Sequence, residues 1–226
     1  MANAVERDVQ IAAGEGRVSG LLIAPKDARA CCVLAHGAGA GMKHPFMAGV
    51  AQGLAERGVA TLRYQFPYME RGSKRPDSAK AAQETVRAAV AKAATLLPKL
   101  PLFAGGKSYG GRMTSQAQAE APLEGVKGLA FLGFPLHAPG QPSATRAEHL
   151  AQVKIPMLFL QGTRDDLAHL DHLKPVVASL GRRATLKLFE NADHSFRVPA
   201  KSGRSNAEVM TELLDALANW AEKISR

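Results

Sequence analysis

Residues 102–111 of the chain read LFAGGKSYGG. The first part of this segment is apolar or small, as expected for a short strand that is buried on both faces. The second part fits the pattern G-x-S-x-G around Ser108, in which a serine lies on a tight turn between a strand and a helix. Only very small residues fit two positions to either side of such a turn. The segment therefore predicts a strand, a serine presented at a helix N-terminus, and a helix.

Strand-like and helix-like segments alternate along the chain on both sides of this turn. Runs of β-forming residues at 9–13 and 17–24 surround Gly14-Glu15-Gly16 and predict an antiparallel hairpin. Beyond the hairpin, strands are predicted at residues 31–35, 59–64, 102–105, 128–132, 157–161 and 185–189. Helices are predicted at residues 46–56, 78–97, 111–119, 170–180 and 206–224. This order is typical of an α/β protein whose mostly parallel sheet is covered by helices on both faces.

The composition is that of a folded globular protein. Hydrophobic residues make up 46% of the 226 residues and charged residues 22%, which excludes a disordered or fibrous chain. We expect a single domain over residues 1–226, because this length supports one core of ordinary size. No apolar run is long enough for a membrane span, and the first residues do not resemble a secretory signal. The two cysteines, Cys31 and Cys32, are adjacent and suit a reducing compartment, so we predict a soluble protein of the cytoplasm.

The net charge of +9 raises the question of nucleic-acid binding, because basic surfaces attract phosphate. Lysine and arginine are scattered along the chain, however, and the densest group, at residues 71–75, has aromatic neighbours on one side only. Nucleic-acid binding usually combines a basic patch with a recognisable motif. We therefore expect no nucleic-acid partner, while an anionic small-molecule substrate stays compatible with the charge.

A serine hydroxyl is a weak nucleophile and needs a histidine base that is oriented by a carboxylate. His194 lies in a polar loop directly after the predicted strand 185–189. Asp165 and Asp166 follow the preceding predicted strand, so either could be the carboxylate, and Asp165 is our first choice. Residues at the carboxyl ends of parallel strands meet at one edge of the sheet. The sequence therefore predicts a catalytic triad of Ser108, His194 and Asp165.

Acyl transfer also needs backbone N–H groups that stabilise the negative oxygen of the tetrahedral intermediate. Tyr109, the residue after the nucleophile, is expected to supply one of them. The loop HGAGAG at residues 36–41 follows another predicted strand and offers small residues that a ligand can approach closely. From this loop we predict Ala38 as the second donor and Gly37 as a substrate contact, and we interpret His36 as a structural residue that holds the loop.

Two irregular loops, at residues 65–77 and 134–145, are candidates for a lid or for pocket walls. Neither loop is long enough for a separate cap domain, so we expect an open site. Three aromatic residues cluster at the first loop, and we predict that they line the substrate pocket: Tyr64, Phe66 and Tyr68. Lys107 could either shape the pocket or be a surface lysine.

Other kinds of site fit the sequence poorly. The segment GKS at residues 106–108 lacks the upstream glycine of a phosphate-binding P-loop, because that position is Pro101. The glycine-rich loop lacks the third glycine of a dinucleotide-binding motif, since Met42 stands there. His169 and His172 have no third ligand spaced to close a metal site. We therefore expect neither a metal nor another cofactor.

Several segments together resemble the α/β-hydrolase superfamily, and within it the short, lidless enzymes similar to dienelactone hydrolase and to testis-expressed protein 30. They are HGAGAG at residues 36–41, LRYQFPY at 62–68, GKSYGG at 106–111, and the pair GTRD at 162–165 with DHSF at 193–196. The resemblance spans almost the whole chain. It implies an eight-stranded, mostly parallel sheet without a separate cap domain, with Ser108, Asp165 and His194 as the triad. Dienelactone hydrolases carry a cysteine where this chain has Ser108, so their substrate is not implied.

The residues and the resemblance together predict a serine hydrolase that cleaves carboxylic esters or thioesters of small molecules. No cofactor and no membrane partner are expected, and a homodimer is compatible with the sequence. The alternative is a non-catalytic binding or scaffolding protein on the same fold, since a fold does not guarantee an activity. The basic surface keeps that alternative open, whereas an intact triad argues against it.

Overall fold

The computed structural model of the protein describes residues 5–226. Its strands are β1 (Glu6–Ala13), β2 (Gly16–Ile23), β3 (Ala30–Ala35), β4 (Val59–Tyr64), β5 (Leu102–Lys107), β6 (Val126–Leu132), β7 (Met157–Gly162) and β8 (Ala184–Phe189). They form one sheet in the order β1-β2-β4-β3-β5-β6-β7-β8. β1 pairs antiparallel with β2, and β2 with β4, while all other neighbouring strands are parallel.

The α-helices of the described chain are α1 (Pro45–Ala55), α2 (Pro67–Glu70), α3 (Ala79–Leu96), α4 (Tyr109–Glu120), α5 (Leu170–Ser179) and α6 (Asn206–Ser225). Short 3-10 helices lie at Thr145–Gln152, Gly181–Arg183 and Ala200–Ser202. α6 begins with a capping box, in which Ser205 and Glu208 satisfy each other's backbone N–H groups. Within residues 5–226, every helix is too short or too polar to cross a membrane.

The helices cover both faces of the sheet. α1 and α6 pack on one face, through residues such as Leu54 and Leu217. α3 and α4 pack on the other face, through residues such as Val86 and Met113. Because both faces are covered, every residue of β3 is buried. This burial explains why the central strands read as continuous apolar runs rather than as alternating ones.

The predicted architecture is confirmed: the sheet has eight strands, is mostly parallel and carries helices on both faces. No cap domain is inserted between the strands of residues 5–226. The helix predicted from residue 111 begins at Tyr109, because the turn at Ser108 leads directly into α4. The loop predicted at 65–77 contains α2, and the loop predicted at 134–145 leads into the 3-10 helix that starts at Thr145.

Candidate active site

Ser108 forms the turn between β5 and α4. Its backbone dihedral angles, φ 51° and ψ −115°, lie in a region that residues with a side chain rarely adopt. Holding a non-glycine residue in such a region costs on the order of 1–3 kcal/mol, and the strain persists only where the surrounding structure enforces it. The turn places the half-buried Ser108 side chain at the carboxyl end of the sheet.

The two glycines of the pattern enforce this turn through close backbone contacts. A Cβ atom on Gly110 would lie 2.5 Å from the carbonyl oxygen of Ala35 and 2.6 Å from that of His36. A Cβ atom on Gly106 would also clash with the backbone of Ala35. Both positions therefore need glycine so that β5 and α4 can pack against the end of β3. These contacts explain the spacing of the pattern around Ser108.

The side chains of Ser108, His194 and Asp165 form one hydrogen-bonded chain. His194 Nε2 lies 2.8 Å from Ser108 Oγ, and His194 Nδ1 lies 2.7 Å from Asp165 Oδ2. The Asp165 side chain is fully buried, whereas 20% of the His194 side chain is exposed. An imidazole that carries its proton on Nδ1 donates to the carboxylate and leaves Nε2 free to accept the serine proton. Such an arrangement can activate a serine hydroxyl.

Asp165 is held in place by two further hydrogen bonds. Its Oδ1 accepts from the backbone N–H of Leu167 at 2.8 Å, and its Oδ2 accepts from the side-chain amide of Gln161. The carbonyl oxygen of the Gln161 side chain accepts from the N–H of Phe134 at 2.9 Å, which ties the carboxylate to the end of β6. Gln161 was not identified from the sequence, although a single polar side chain within an apolar strand is a detectable signal. The neighbouring Asp166 is exposed.

Two backbone N–H groups near Ser108 are available as donors. Among the described residues, neither the N–H of Ala38 nor that of Tyr109 donates to a protein acceptor. Tyr109 is the first residue of α4, so its N–H belongs to the positive end of that helix. Ala38 and Gly37 line the cleft beside Ser108. The arrangement is compatible with an oxyanion site formed by these two donors, and that role stays a prediction.

His36 holds the loop that carries Ala38. Its Nδ1 donates to the carbonyl oxygen of Gly37 at 2.7 Å, and its Nε2 accepts from the N–H of Phe66 at 3.1 Å. Burial lowers the pKa of His36, because the protonated form loses its hydration there. The neutral ring satisfies both contacts, one as donor and one as acceptor. The predicted structural role of His36 is thus confirmed.

The three aromatic residues predicted to line the pocket lie in the core instead. Tyr64, Phe66 and Tyr68 are each at most 1% exposed, and none of them lines the cleft. Phe66 packs edge to face against His36 at 4.9 Å, and Tyr68 Oη accepts from the N–H of Gly39 at 3.2 Å. Tyr64 is buried as the last residue of β4, and the turn into α2 buries Phe66 and Tyr68, a direction that the sequence spacing did not determine. Phe66 and Tyr68 support the HGAGAG loop from inside the protein.

An open cleft of about 680 Å³ lies beside Ser108 and His194. Its walls come from the loop after β3, the N-terminus of α1, residues 195–197, and Asn206 and Met210 of α6. The cleft has a largely apolar side, formed by Phe46, Met47, Phe196 and Met210. The rings of Phe46 and Phe196 stack at 5.9 Å. The loops at 65–77 and 134–145, expected to form a lid or walls, contribute no lining residue to this cleft.

A family model described as an alpha/beta hydrolase domain matches residues 28–222. The chain belongs to the α/β-hydrolase family. This α/β hydrolase is similar in structure to a dienelactone hydrolase from Anabaena variabilis, with 22% identity, a TM-score of 0.80, and coverage of 96% of this chain and 97% of that one. It is also similar to an α/β serine hydrolase without a lid from Xanthomonas campestris, with 18% identity, a TM-score of 0.73, and coverage of 95% and 94%.

A third similar structure is Est1E from Butyrivibrio proteoclasticus with ferulic acid bound. It shares 17% identity with this α/β hydrolase at a TM-score of 0.69, and the match covers 93% of this chain and 99% of that one. At these identities, the three structures establish the shared fold of the α/β hydrolase.

Proposed function

We propose that this α/β hydrolase is a serine hydrolase that cleaves carboxylic esters or thioesters with small or medium-sized acyl or alcohol groups. The observation that carries the proposal is the continuous chain from Ser108 Oγ through His194 to the buried Asp165, at 2.8 and 2.7 Å. The cleft beside Ser108 gives a small substrate access to this chain. A binding or scaffolding protein would not need a nucleophile on a strained turn with a base in hydrogen-bond contact.

The geometry supports the following steps. Ser108 Oγ attacks the carbonyl carbon while His194 Nε2 takes the hydroxyl proton, and Asp165 stabilises the imidazolium that forms. The N–H groups of Ala38 and Tyr109 receive the negative oxygen of the tetrahedral intermediate. His194 then gives its proton to the leaving alcohol or thiol, and the acyl group remains on Ser108. Water, deprotonated by His194, attacks the acyl enzyme; the bond from the acyl carbon to Ser108 Oγ then breaks, His194 returns the proton to Oγ, and the acid is released.

The size of the cleft and its mixed lining favour small organic substrates. Its volume of about 680 Å³ lies in the range of ordinary small-molecule sites, and apolar and cationic side chains share its walls. Est1E, a structural relative, binds ferulic acid. The steps above need no cofactor, and the free cysteines Cys31 and Cys32 support a reducing compartment such as the cytoplasm.

A fluorophosphonate tests the nucleophile without knowledge of the natural substrate. Intact-mass analysis is run on the wild type, Ser108→Ala and His194→Ala after exposure to the reagent. We expect one adduct on the wild type, none on Ser108→Ala, and slow labelling of His194→Ala. An unlabelled wild type with a normal unfolding transition would contradict the proposal and would favour a non-catalytic binding protein.

The choice of the triad carboxylate can be tested with two neighbouring aspartates. Asp165→Asn is expected to slow labelling and ester turnover by about 10⁴-fold, because an amide stabilises the wrong tautomer of the imidazole. Asp166→Asn is the matched control, since Asp166 is exposed, and it should keep nearly wild-type rates. Rates are compared at one pH for all three proteins. Equal losses in both variants would rule out the assignment of Asp165.

A further inference from the structure

Lys107 connects the nucleophile turn to the loop that carries His194. It is the last residue of β5 and directly precedes Ser108. Its Nζ donates to the backbone carbonyl oxygen of His194 at 2.6 Å, across 87 positions of sequence. The steps proposed above assign no task to this side chain. The contact nevertheless joins the two loops whose relative position sets the distance between Ser108 Oγ and the imidazole.

The surroundings of Lys107 leave its ammonium group little freedom. Nζ lies 6.0 Å from the ring centre of Phe46 and 5.7 Å from that of Phe196, within the range of cation–π contacts. Gly133 is also close to the ammonium group: a Cβ atom there would come within 2.9 Å of Nζ and 3.4 Å of His194 Nδ1. The ammonium group and the imidazole therefore pack side by side over the same glycine.

Protonation of Lys107 is disfavoured by the partial loss of hydration around its ammonium group. Burial lowers the pKa of Lys107 to about 8, and the carboxylates of Asp165 and Asp193 oppose this shift. Within the described chain, Lys107 forms no ion pair with either carboxylate. The other titratable groups near the ammonium are His194 beside it, and Arg197 and His44 at the cleft wall.

We propose that Lys107 is a positioning residue whose ammonium group fixes the backbone of His194, so that the imidazole stays within reach of both Ser108 and Asp165. The consequence for the rate rests on the proposed hydrolase function, whereas the consequence for the loop does not. If Lys107 only filled space, an unbranched apolar side chain would serve better, because it avoids the partial desolvation of a charge that is half-buried at the cleft wall. Removal of the ammonium group should therefore lower reactivity without lowering stability.

The test compares Lys107→Met with Lys107→Arg, and uses Lys80→Met, at an exposed position of α3, as the matched control. Backbone hydrogen exchange of residues 190–198 measures the loop directly. We expect faster exchange in Lys107→Met, a thermal midpoint equal to or above that of the wild type, and unchanged exchange in Lys80→Met. Fluorophosphonate labelling of Lys107→Met should slow by roughly 10- to 100-fold, since small displacements of a catalytic group have effects of this size. For an ester substrate, kcat should fall while KM changes little.

The pH dependence of fluorophosphonate labelling distinguishes the positioning role of Lys107 from simple packing, because packing alone would not change with pH. Lysine is charged below its pKa, so labelling of the wild type should decline as the pH rises through about 8. Arginine keeps its charge over that range, so Lys107→Arg should recover part of the rate and lose this decline. Unchanged loop exchange in Lys107→Met would overturn the inference, whatever the labelling shows. Unlabelled wild type together with faster loop exchange in Lys107→Met would instead remove the hydrolase proposal and leave the positioning role intact.

Discussion

Ser108→Ala is expected to lower ester hydrolysis by about 10⁴- to 10⁶-fold, because the members of a serine triad act as a unit. The variant should stay folded, since the Ser108 hydroxyl has only His194 Nε2 as a partner among the described residues. Steady-state kinetics on an active test ester and circular dichroism measure the two effects. Ser225→Ala, near the end of α6, is a control that should keep full activity. Unchanged hydrolysis of every active ester by Ser108→Ala would contradict the proposed function.

Ser108→Gly separates the chemical role of this residue from its backbone strain. Glycine adopts φ 51° without the steric cost that a side chain brings, so this variant should be inactive like Ser108→Ala. Its free energy of unfolding should nevertheless exceed that of Ser108→Ala by about 1 kcal/mol. Urea denaturation of both variants measures the difference. Equal stabilities would show that the turn stores no strain.

Gly110→Ala is expected to destabilise the protein severely. The added methyl group would lie 2.5 to 2.6 Å from backbone atoms of Ala35 and His36, and backbone inside a sheet cannot move aside as a side chain can. Overpacking of this kind costs about 1–3 kcal/mol and occasionally more, and rigid backbone on both sides favours the upper end. Urea denaturation monitored by far-UV circular dichroism measures the loss, and the fraction of soluble protein after expression gives a second measure.

A second glycine provides the control for Gly110→Ala. Gly49 lies on the exposed side of α1, and a Cβ atom there would meet nothing within 4 Å. Gly49→Ala should therefore stabilise the protein by about 0.5–1 kcal/mol, because alanine favours the helix. If Gly110→Ala lowers the free energy of unfolding and Gly49→Ala raises it, the loss in Gly110→Ala comes from the steric clash and not from the added methyl group itself. Similar free energies of unfolding for Gly110→Ala and Gly49→Ala would contradict the close packing of α4 against the end of β3.

The sheet and the three residues of the hydrogen-bonded chain were predictable because both follow from local patterns. Apolar runs marked the strands, and residues directly after parallel strands must meet at one edge, which brought Ser108, Asp165 and His194 together. The cleft walls were not predictable, since they depend on contacts between distant parts of the chain. The stack of Phe46 on Phe196 joins residues 150 positions apart, and nothing near either residue in the sequence indicates it.

The sequence also did not predict the direction in which side chains near turns point. Tyr64, Phe66 and Tyr68 were predicted to line the pocket, but the end of β4 and the turn into α2 point them into the core. The sequence indicated a surface position and a pocket position for Lys107 equally, because its contact with His194 spans 87 positions of the chain. Such contacts appear only once the sheet is assembled.

The separation of the cleft walls from the nucleophile turn has a practical consequence for enzyme engineering. Ser108 and its flanking glycines are packed tightly against β3, whereas Met47 and Met210 line the cleft from α1 and α6, outside the sheet. Under the proposed function, a library limited to these two codons would vary the shape of the accepted acyl or alcohol group without changing the triad or the contacts of Lys107 with Phe46 and Phe196. If the protein has the proposed activity, selection for new substrates can begin from a scaffold in which the contacts of Ser108, His194 and Asp165 are unchanged.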